Sequence, residues 1–304
     1  MGGGVLLCTF DMDKKKLALL GLFGSLIWLS VFYFPDDKLN LVFCDVGQGD
    51  AVLITKGSDQ ILIDGGPNDK VLTCLSENMP FWDKKIEIVA LTHPEVDHLF
   101  GLLAVLDKYK VDFFLTGPEG GNSAIYTELI SKIKNPASTA KRGEQKSKMK
   151  LENPYSGEKI KLGEITLESL WPEREWVATM IGGEREAILG AKTTHSKLND
   201  FSLVFLLNYK DKKILLMGDA DSQVQKNIVL NSTSLPIDIL KFPHHGSKTG
   251  MTEEFLEAIS PKEAVISVGK NSYGHPTEEA LDLLDKFGVL VRRTDKEGDI
   301  NYKF

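Results

Sequence analysis

The run "LTHPEVDH", residues 91–98, places two imidazoles and two carboxylates, His93, Glu95, Asp97 and His98, within six positions at the end of an apolar segment. Such side chains together suit zinc, manganese or iron, and no cysteine stands among them to shift the preference toward softer metals. One divalent ion takes about three or more protein ligands and two ions take more, so four groups from one loop are an incomplete set. The chain offers further candidates at three other strand ends: Asp219 in "ILLMGDAD", His244 and His245 in "IDILKFPHHGS", and His275 in "VISVGKNSYGHP". Five of the six histidines fall in these clusters, whereas His195, in a polar loop, reads as a surface residue. No Ser-His-Asp arrangement competes with a metal site. "GGGV" at 2–5 and "GQGD" at 47–50 lack the context of a phosphate-binding fingerprint.

The elements that must position these groups are short. Proline at 94 disfavours a helical conformation for His93, so the first cluster is expected in a loop after the strand "IEIVAL". Apolar or β-branched runs bounded by Gly, Pro, Asn or Asp read as strands: "LNLVFCDV", "AVLI", "QILID", "IEIVALT" and "VDFFLT", with "GQGD" as the turn between the first two. "DHLFGLLAVLDKY" and "NSAIYTELISKI" carry apolar residues at three-to-four spacing and read as helices. A loop-rich middle with strands "KIKLG" and "ITLESLWP" ends in a polar stretch from Glu173 to Asn199. The alternation then resumes with strands "FSLVFLLNY", "KKILLMGD", "IDILKF", "EAVISVG" and "VLVRRT", and helices over Ser222–Leu230, Glu253–Ile259 and Glu278–Phe287. Two facing sheets with helices outside suit this order, and a single doubly wound sheet is not distinguished from it by periodicity.

Seven motifs, "DVGQGDAVLI", "ILIDGG", "LTHPEVDH", "NDFSLVFLL", "LLMGDAD", "HHGS" and "YGHP", follow one another from about Leu39 to the C-terminus. In this order the sequence resembles the metallo-β-lactamase superfamily, and within it the C-terminal hydrolase domain of ComEC-type DNA-uptake proteins. The resemblance implies an α/β fold, the four-layer αββα sandwich, with metals in a groove at one edge of the two sheets. It also implies a ligand set of His93, Glu95 and one histidine of "HHGS" for one divalent ion, Asp97, His98 and His275 for a second, and Asp219 between them. Of His244 and His245, the superfamily's spacing favours His245. Asp64 corresponds to an aspartate that orients the ligand loop. Two positions depart from the pattern: Glu95 stands where His or Asp is usual, and Phe100 replaces the first glycine of "DHxGG".

The bulk numbers agree with a folded chain. With 304 residues and 42% hydrophobic content it can bury a full core, and its formal charge of −7 gives no general reason to expect a polyanionic partner. Three cysteines, Cys8, Cys44 and Cys74, lack metal spacing. No disulfide framework is expected, and Cys44 reads as a small buried side chain in a strand. Leu17–Phe34 is an 18-residue apolar run with only Ser25 and Ser30 polar, preceded by Lys14–Lys16 and followed by "PDDK". As a helix it would reach about 27 Å, close to the hydrocarbon thickness of a bilayer. Residues 1–38 are therefore read as a tail and single transmembrane signal-anchor, and 39–304 as the hydrolase domain outside the cytoplasm. No small-x-small site follows Phe34, which favours an uncleaved anchor over secretion after signal cleavage. Met12, directly before "DKKK", reads as a more natural start than Met1.

Two divalent ions, Zn or Mn, lower the pKa of a shared water so that hydroxide is available near neutral pH, and they stabilise the oxygens of an in-line displacement. Asp97 or Asp219 would accept the proton, with Ser202, His244, Ser247 and Lys248 nearby to contact substrate or developing charge. The ComEC-like resemblance implies a phosphodiester substrate, nucleic acid first. Lys141, Arg142, Lys146, Lys148 and Lys150 could contact phosphates, although a run without interleaved aromatics reads first as a solvated loop. Trp171 and Trp176 are placed either along the groove or in the core. With one span the chain is no channel, so a separate membrane channel protein is a candidate partner. The alternatives are hydrolysis of another ester (a phosphorylcholine ester, lactone or β-lactam) or an inactive metal-binding surface module.

Overall fold

The computed structural model describes residues 13–33, 37–135, 149–181, 197–228 and 235–304. His195, the basic residues from Lys141 to Lys148 and the start proposed at Met12 lie outside them. The chain divides into two compact units, Met1–Asp36 and Asp37–Phe304. The first contains helix α1 (Lys14–Tyr33). Among the described residues no helix is long and apolar enough to cross a membrane, and the run read as an anchor lies partly outside them.

The second unit is built on two seven-stranded sheets. In the first, β1 (Leu39–Phe43), β2 (Val52–Lys56) and β3 (Asp59–Ile63) form an antiparallel meander, continued in parallel by β4 (Lys85–Leu91), β5 (Lys110–Thr116) and β6 (Lys150–Glu152). The C-terminal strand β14 (Ile300–Lys303) closes the other edge against β1. The second sheet repeats this plan. Strands β7 (Lys159–Leu162), β8 (Ile165–Trp171), β9 (Val204–Tyr209) and β10 (Lys212–Leu216) are antiparallel, and β11 (Ile239–Lys241), β12 (Glu263–Ile266) and β13 (Leu290–Arg293) extend them in parallel.

Period-two alternation divides each strand between two cores. On β2, Val52 and Ile54 join Phe43, Ile63, Leu167, Phe205 and Ile214 between the sheets, while Leu53 faces the other way. That outer face carries α2 (Val71–Asn78), α3 (Val96–Lys108) and α4 (Ala124–Lys134) through Leu75, Leu99, Leu102, Val105 and Leu129. On the second sheet α7 (Glu253–Ile259) and α8 (Glu278–Lys286) pack through Phe255, Leu256 and Leu284. The layers are thus αββα. Trp171 is core, its ring tilted against that of Trp176 with centroids 4.6 Å apart.

Four features differ from the sequence reading. Cys44, just past β1, and Cys74, on α2, form a disulfide with their Cα atoms 5.9 Å apart, where none was expected. The partners are 30 residues apart on a strand end and a helix, so linear spacing carries no sign of their meeting. Part of the polar stretch after Glu173 is helical, as α5 (Arg174–Ile181). Of the helix expected over Ser222–Leu230, the described residues form a single turn, α6 (Ser222–Gln225), followed by turn residues to 228. The strand read in "IDILKF" shortens to Ile239–Lys241.

Candidate metal centre

The site lies where the parallel strands of both sheets end, the place at which α/β sheets commonly bind ligands. His93 and Pro94 sit in the loop after β4, Glu95 is the residue preceding α3, and Asp97 and His98 occupy the first turn of that helix. The cluster is therefore half loop and half helix. Asp64 follows β3, Asp219 follows β10, and His245 stands in a short 3-10 turn, Pro243–Gly246, after β11. Asp64, His244 and His245 all have positive φ, a conformation non-glycine residues seldom adopt and one that clusters at functional sites. Gly101 lets α3 approach: a Cβ there would lie 2.0 Å from the carbonyl oxygen of Gly65. The neighbouring Phe100 points outward, 37% exposed, so the close helix–loop contact survives the loss of the first glycine.

Hydrogen bonds fix the tautomer of each of three imidazoles. His98 Nδ1–H donates to Asp64 Oδ2 at 2.8 Å, and His245 Nδ1–H donates to the carbonyl of Ser267 at 2.9 Å. Thr92 Oγ1 donates to Asp64 Oδ2 at 2.7 Å and so accepts from His93 Nδ1–H at 3.1 Å. Every Nε2 is left bare and aimed inward. Nε2 of His93, His98 and His245 and Oδ1 of Asp219 are all buried without a hydrogen-bond partner among the described residues. His98 Nε2 lies 3.4 Å from Asp219 Oδ1, and His245 Nε2 lies 3.4 Å from Asp97 Oδ2 and 3.6 Å from Asp219 Oδ2. Orphaned polar atoms of this kind are rare in folded proteins, and cations held between them would satisfy them. The donor set, imidazole nitrogens with carboxylate oxygens, fits a divalent metal.

Among the described residues four groups of three could hold an ion: His93 with His98 and Asp219, Asp97 with His98 and His245, Asp50 with Asp64 and His98, and Asp50 with Asp219 and His245. Asp219 touches both histidines, and its backbone N–H is held by Ser202 Oγ at 3.0 Å. Glu95 Oε2 stands 3.9 Å from His93 Nε2 on the exposed side. His245 thus faces Asp97 and His98, the pair that the resemblance joins to His275. His275 lies outside these groups, its ring 5.6 Å from that of His244, with a buried Nδ1 lacking a partner. His244 is half-buried, Nδ1 3.4 Å from Asn199 Nδ2. Ser247 Oγ bonds Thr249 Oγ1 at 3.2 Å, and Lys248 is exposed.

Two residues of the site have no counterpart in the sequence reading. Lys241, the last residue of β11, is 1% exposed and Asp50, in the turn after β1, is 2% exposed. The Lys241 ammonium pairs with Asp50 Oδ2, donates to the carbonyl of Gly218 at 3.1 Å and lies 3.9 Å from Asp219 Oδ1. The signal for Lys241 was a charged side chain inside the apolar strand "IDILKF", whereas Asp50 stands in the turn "GQGD" and carried no such signal.

The electrostatics are those of a buried anionic pocket. Burial raises the Asp50 carboxyl, but Lys241, His245 and His98 together outweigh it and bring the pKa down to about 2. Burial also opposes charge on His245, yet Asp219, Asp50 and Asp97 push it up to about 10. His98 is held well above the ordinary imidazole range, against burial, by Asp219 and Asp64. His93, buried beside His98, falls to about 3. Burial raises Glu95, and the Asp97 and Asp219 charges add to it.

A sequence model of the metallo-β-lactamase superfamily matches residues 44–270. The chain belongs to the metallo-β-lactamase superfamily. Among curated proteins it is 25% identical to ComE operon protein 3 of Bacillus subtilis, over 99% of this chain and 38% of that protein. It is 24% identical to competence protein ComA of Neisseria gonorrhoeae, over 88% of this chain and 33% of that one. The chain thus spans about a third of the length of these relatives. Among solved structures, the metallo-β-lactamase fold protein YhfI from Bacillus subtilis superposes with a TM-score of 0.53 at 13% identity, covering 88% of this chain and 100% of that one. These likenesses and the two-sheet architecture give a metal-dependent hydrolase fold with competence-protein homologues.

Proposed function

We propose that the protein is a membrane-anchored, extracytoplasmic phosphodiesterase that cleaves nucleic acid, DNA first, with two divalent ions, Zn or Mn. The observation carrying the reading is that the unpartnered, buried Nε2 atoms of His93, His98 and His245 and Oδ1 of Asp219 belong to adjoining groups of three ligands each. Kinship with competence proteins supports nucleic acid as the substrate. The Cys44–Cys74 disulfide supports an oxidising compartment outside the cytoplasm, and the apolar run Leu17–Phe34 supports attachment to the membrane.

Divalent cations at such a site supply Lewis acidity toward phosphoryl oxygens and lower the pKa of water toward neutrality. The protein's own groups do the positioning. His93, His98, His245, Asp97 and Asp219 would hold the ions, with Glu95 reaching from the rim and His275 available beside His244. Asp64 fixes the His98 ring, and Ser202 fixes the Asp219 backbone. Asp97 and Asp219 are the carboxylates able to take a proton from the attacking water. Ser247 and Lys248 belong to the same turn as His245 and are candidates for contact with substrate oxygens.

The test uses the full chain in detergent, stripped with EDTA and reloaded with Mn or Zn. It compares single-stranded DNA, bis-p-nitrophenyl phosphate and nitrocefin as substrates, with Asp219→Ala and His98→Ala as controls. The expected result is cleavage of both phosphodiesters, lost in both variants, and no turnover of nitrocefin. A wild-type protein that binds metal and cleaves no phosphodiester overturns the reading.

A further inference from the structure

We propose that Tyr273 is a stacking platform for an unpaired nucleobase next to the scissile phosphate; this rests on the function proposed above. Tyr273 is 74% exposed, the most exposed of the large apolar side chains in the hydrolase unit. Its loop is nevertheless fixed. Asn271 Oδ1 accepts from the backbone N–H of Tyr273 and of His275, each at 3.0 Å. Asn271 Nδ2 donates to the carbonyls of Gly269 at 2.9 Å and His275 at 2.8 Å. Gly269 seats the loop against the turn after β1: its N–H donates to Gln48 Oε1 at 3.3 Å, and a Cβ there would lie 2.4 Å from the carbonyl carbon of Gly47. An aromatic ring is thus held out in water by a rigid frame.

The ring shares one cleft with the metal centre. A cavity of about 560 Å³ is lined by Tyr273, Pro67, Pro94 and Val96 together with Glu95 and Asp97. Among the described residues no Lys or Arg lines it, so this wall is not built for phosphate. Its apolar sides and flat ring match the uncharged face of a base, and such stacking is indifferent to base identity. A base inside a duplex has both faces covered, which makes the matching ligand a single strand.

The test uses the Mn-loaded full chain in detergent with Tyr273→Ala, Tyr273→Phe and Tyr273→Trp. The substrates are a single-stranded DNA 12-mer, the RNA of the same sequence, an abasic DNA 12-mer and the duplex. Losing one stacked base is expected to raise KM for the single strand roughly 5- to 150-fold in the Ala variant, with kcat little changed. Phe and Trp should restore KM, and the abasic strand and the duplex should be insensitive to residue 273, which also establishes that the Ala variant is folded. A Tyr273 effect on either the DNA or the RNA strand supports the proposal and names the substrate. An Ala variant with wild-type KM on both strands, or one equally impaired on the abasic strand, overturns it. If the wild type cleaves no nucleic acid at all, the function proposed above falls and this inference with it, an outcome distinct from cleavage that ignores Tyr273.

Discussion

Replacing Lys241 with methionine should destabilise the metal-free protein by about 3–5 kcal/mol, the usual cost of leaving a buried charge without its partner. Asp50 Oδ2 bonds the lysine, and Oδ1 has no hydrogen bond, with His245 Nδ1 3.5 Å away. Without the ammonium, Oδ2 loses its close partner, and the charged neighbours left to the carboxylate are the imidazoles of His245 at 3.5 Å and His98 at 3.9 Å. The wild-type pair also has a pH signature. A carboxyl lowered from 3.8 to about 2 contributes roughly 2 kcal/mol above pH 4, lost as pH falls through about 2. Removing both charges in Asp50→Asn/Lys241→Met eliminates the uncompensated ion, so most of the loss should be recovered. Recovery should stop short of complete, because Asp219 Oδ1 also loses the cation at 3.9 Å. Urea unfolding of EDTA-treated protein at pH 7 measures all four corners of this double-mutant cycle. A double variant as unstable as the sum of the single losses would refute the argument, since the two charges would then be acting independently.

Reducing the Cys44–Cys74 disulfide closes off a constraint on a loop of 30 residues and should lower stability by about 3–4 kcal/mol, read as a shift in the urea midpoint. Because Asp219, Asp50 and Asp97 push His245 up to about 10, its stabilising contribution to the metal-free protein is complete below pH 6.5 and lost as pH rises through 10. A metal must displace that proton, so affinity should rise between pH 6 and 9 with proton release seen by calorimetry in buffers of different ionisation enthalpy; a pH-independent affinity would contradict this. Asp64→Asn sets an amide donor against the His98 and Thr92 donors and should weaken metal binding about 10- to 100-fold in a chelator competition, with the fold retained.

Much of the fold was legible because its strands are buried on both faces, and runs such as "QILID" and "IEIVALT" admit few other readings. What was missed depends on distant partners. β14 is a strand because Leu41 and Val42 of β1 await Tyr302 and Asn301 opposite them. α2, "VLTCLSEN", is too short for a clear helical period and is held by Val71, Cys74 and Leu75 packing on the first sheet. The ligand clusters were visible because their residue types are costly to bury without a reason. Asp50 was read as a turn former and Lys241 as a strand residue because each is unremarkable until the two meet, 191 positions apart. The direction of His245, too, is set by two left-handed residues that spacing alone does not reveal.

The crowding of "THPEVDH" finds its explanation in the point at which α3 begins. Within a helix successive residues turn by about 100°, so Asp97 and His98, both in the first turn, leave in different directions. His98 goes inward, its Nδ1 bonded to Asp64 and its bare Nε2 3.4 Å from Asp219, while the Asp97 side chain stays 31% exposed at the mouth. Residue 95, one step before the helix, reaches further out still. One six-residue run therefore builds both a rigid, buried end and an open end facing solvent. The open end is the side on which Glu95 and Asp97 share their cleft with the ring of Tyr273.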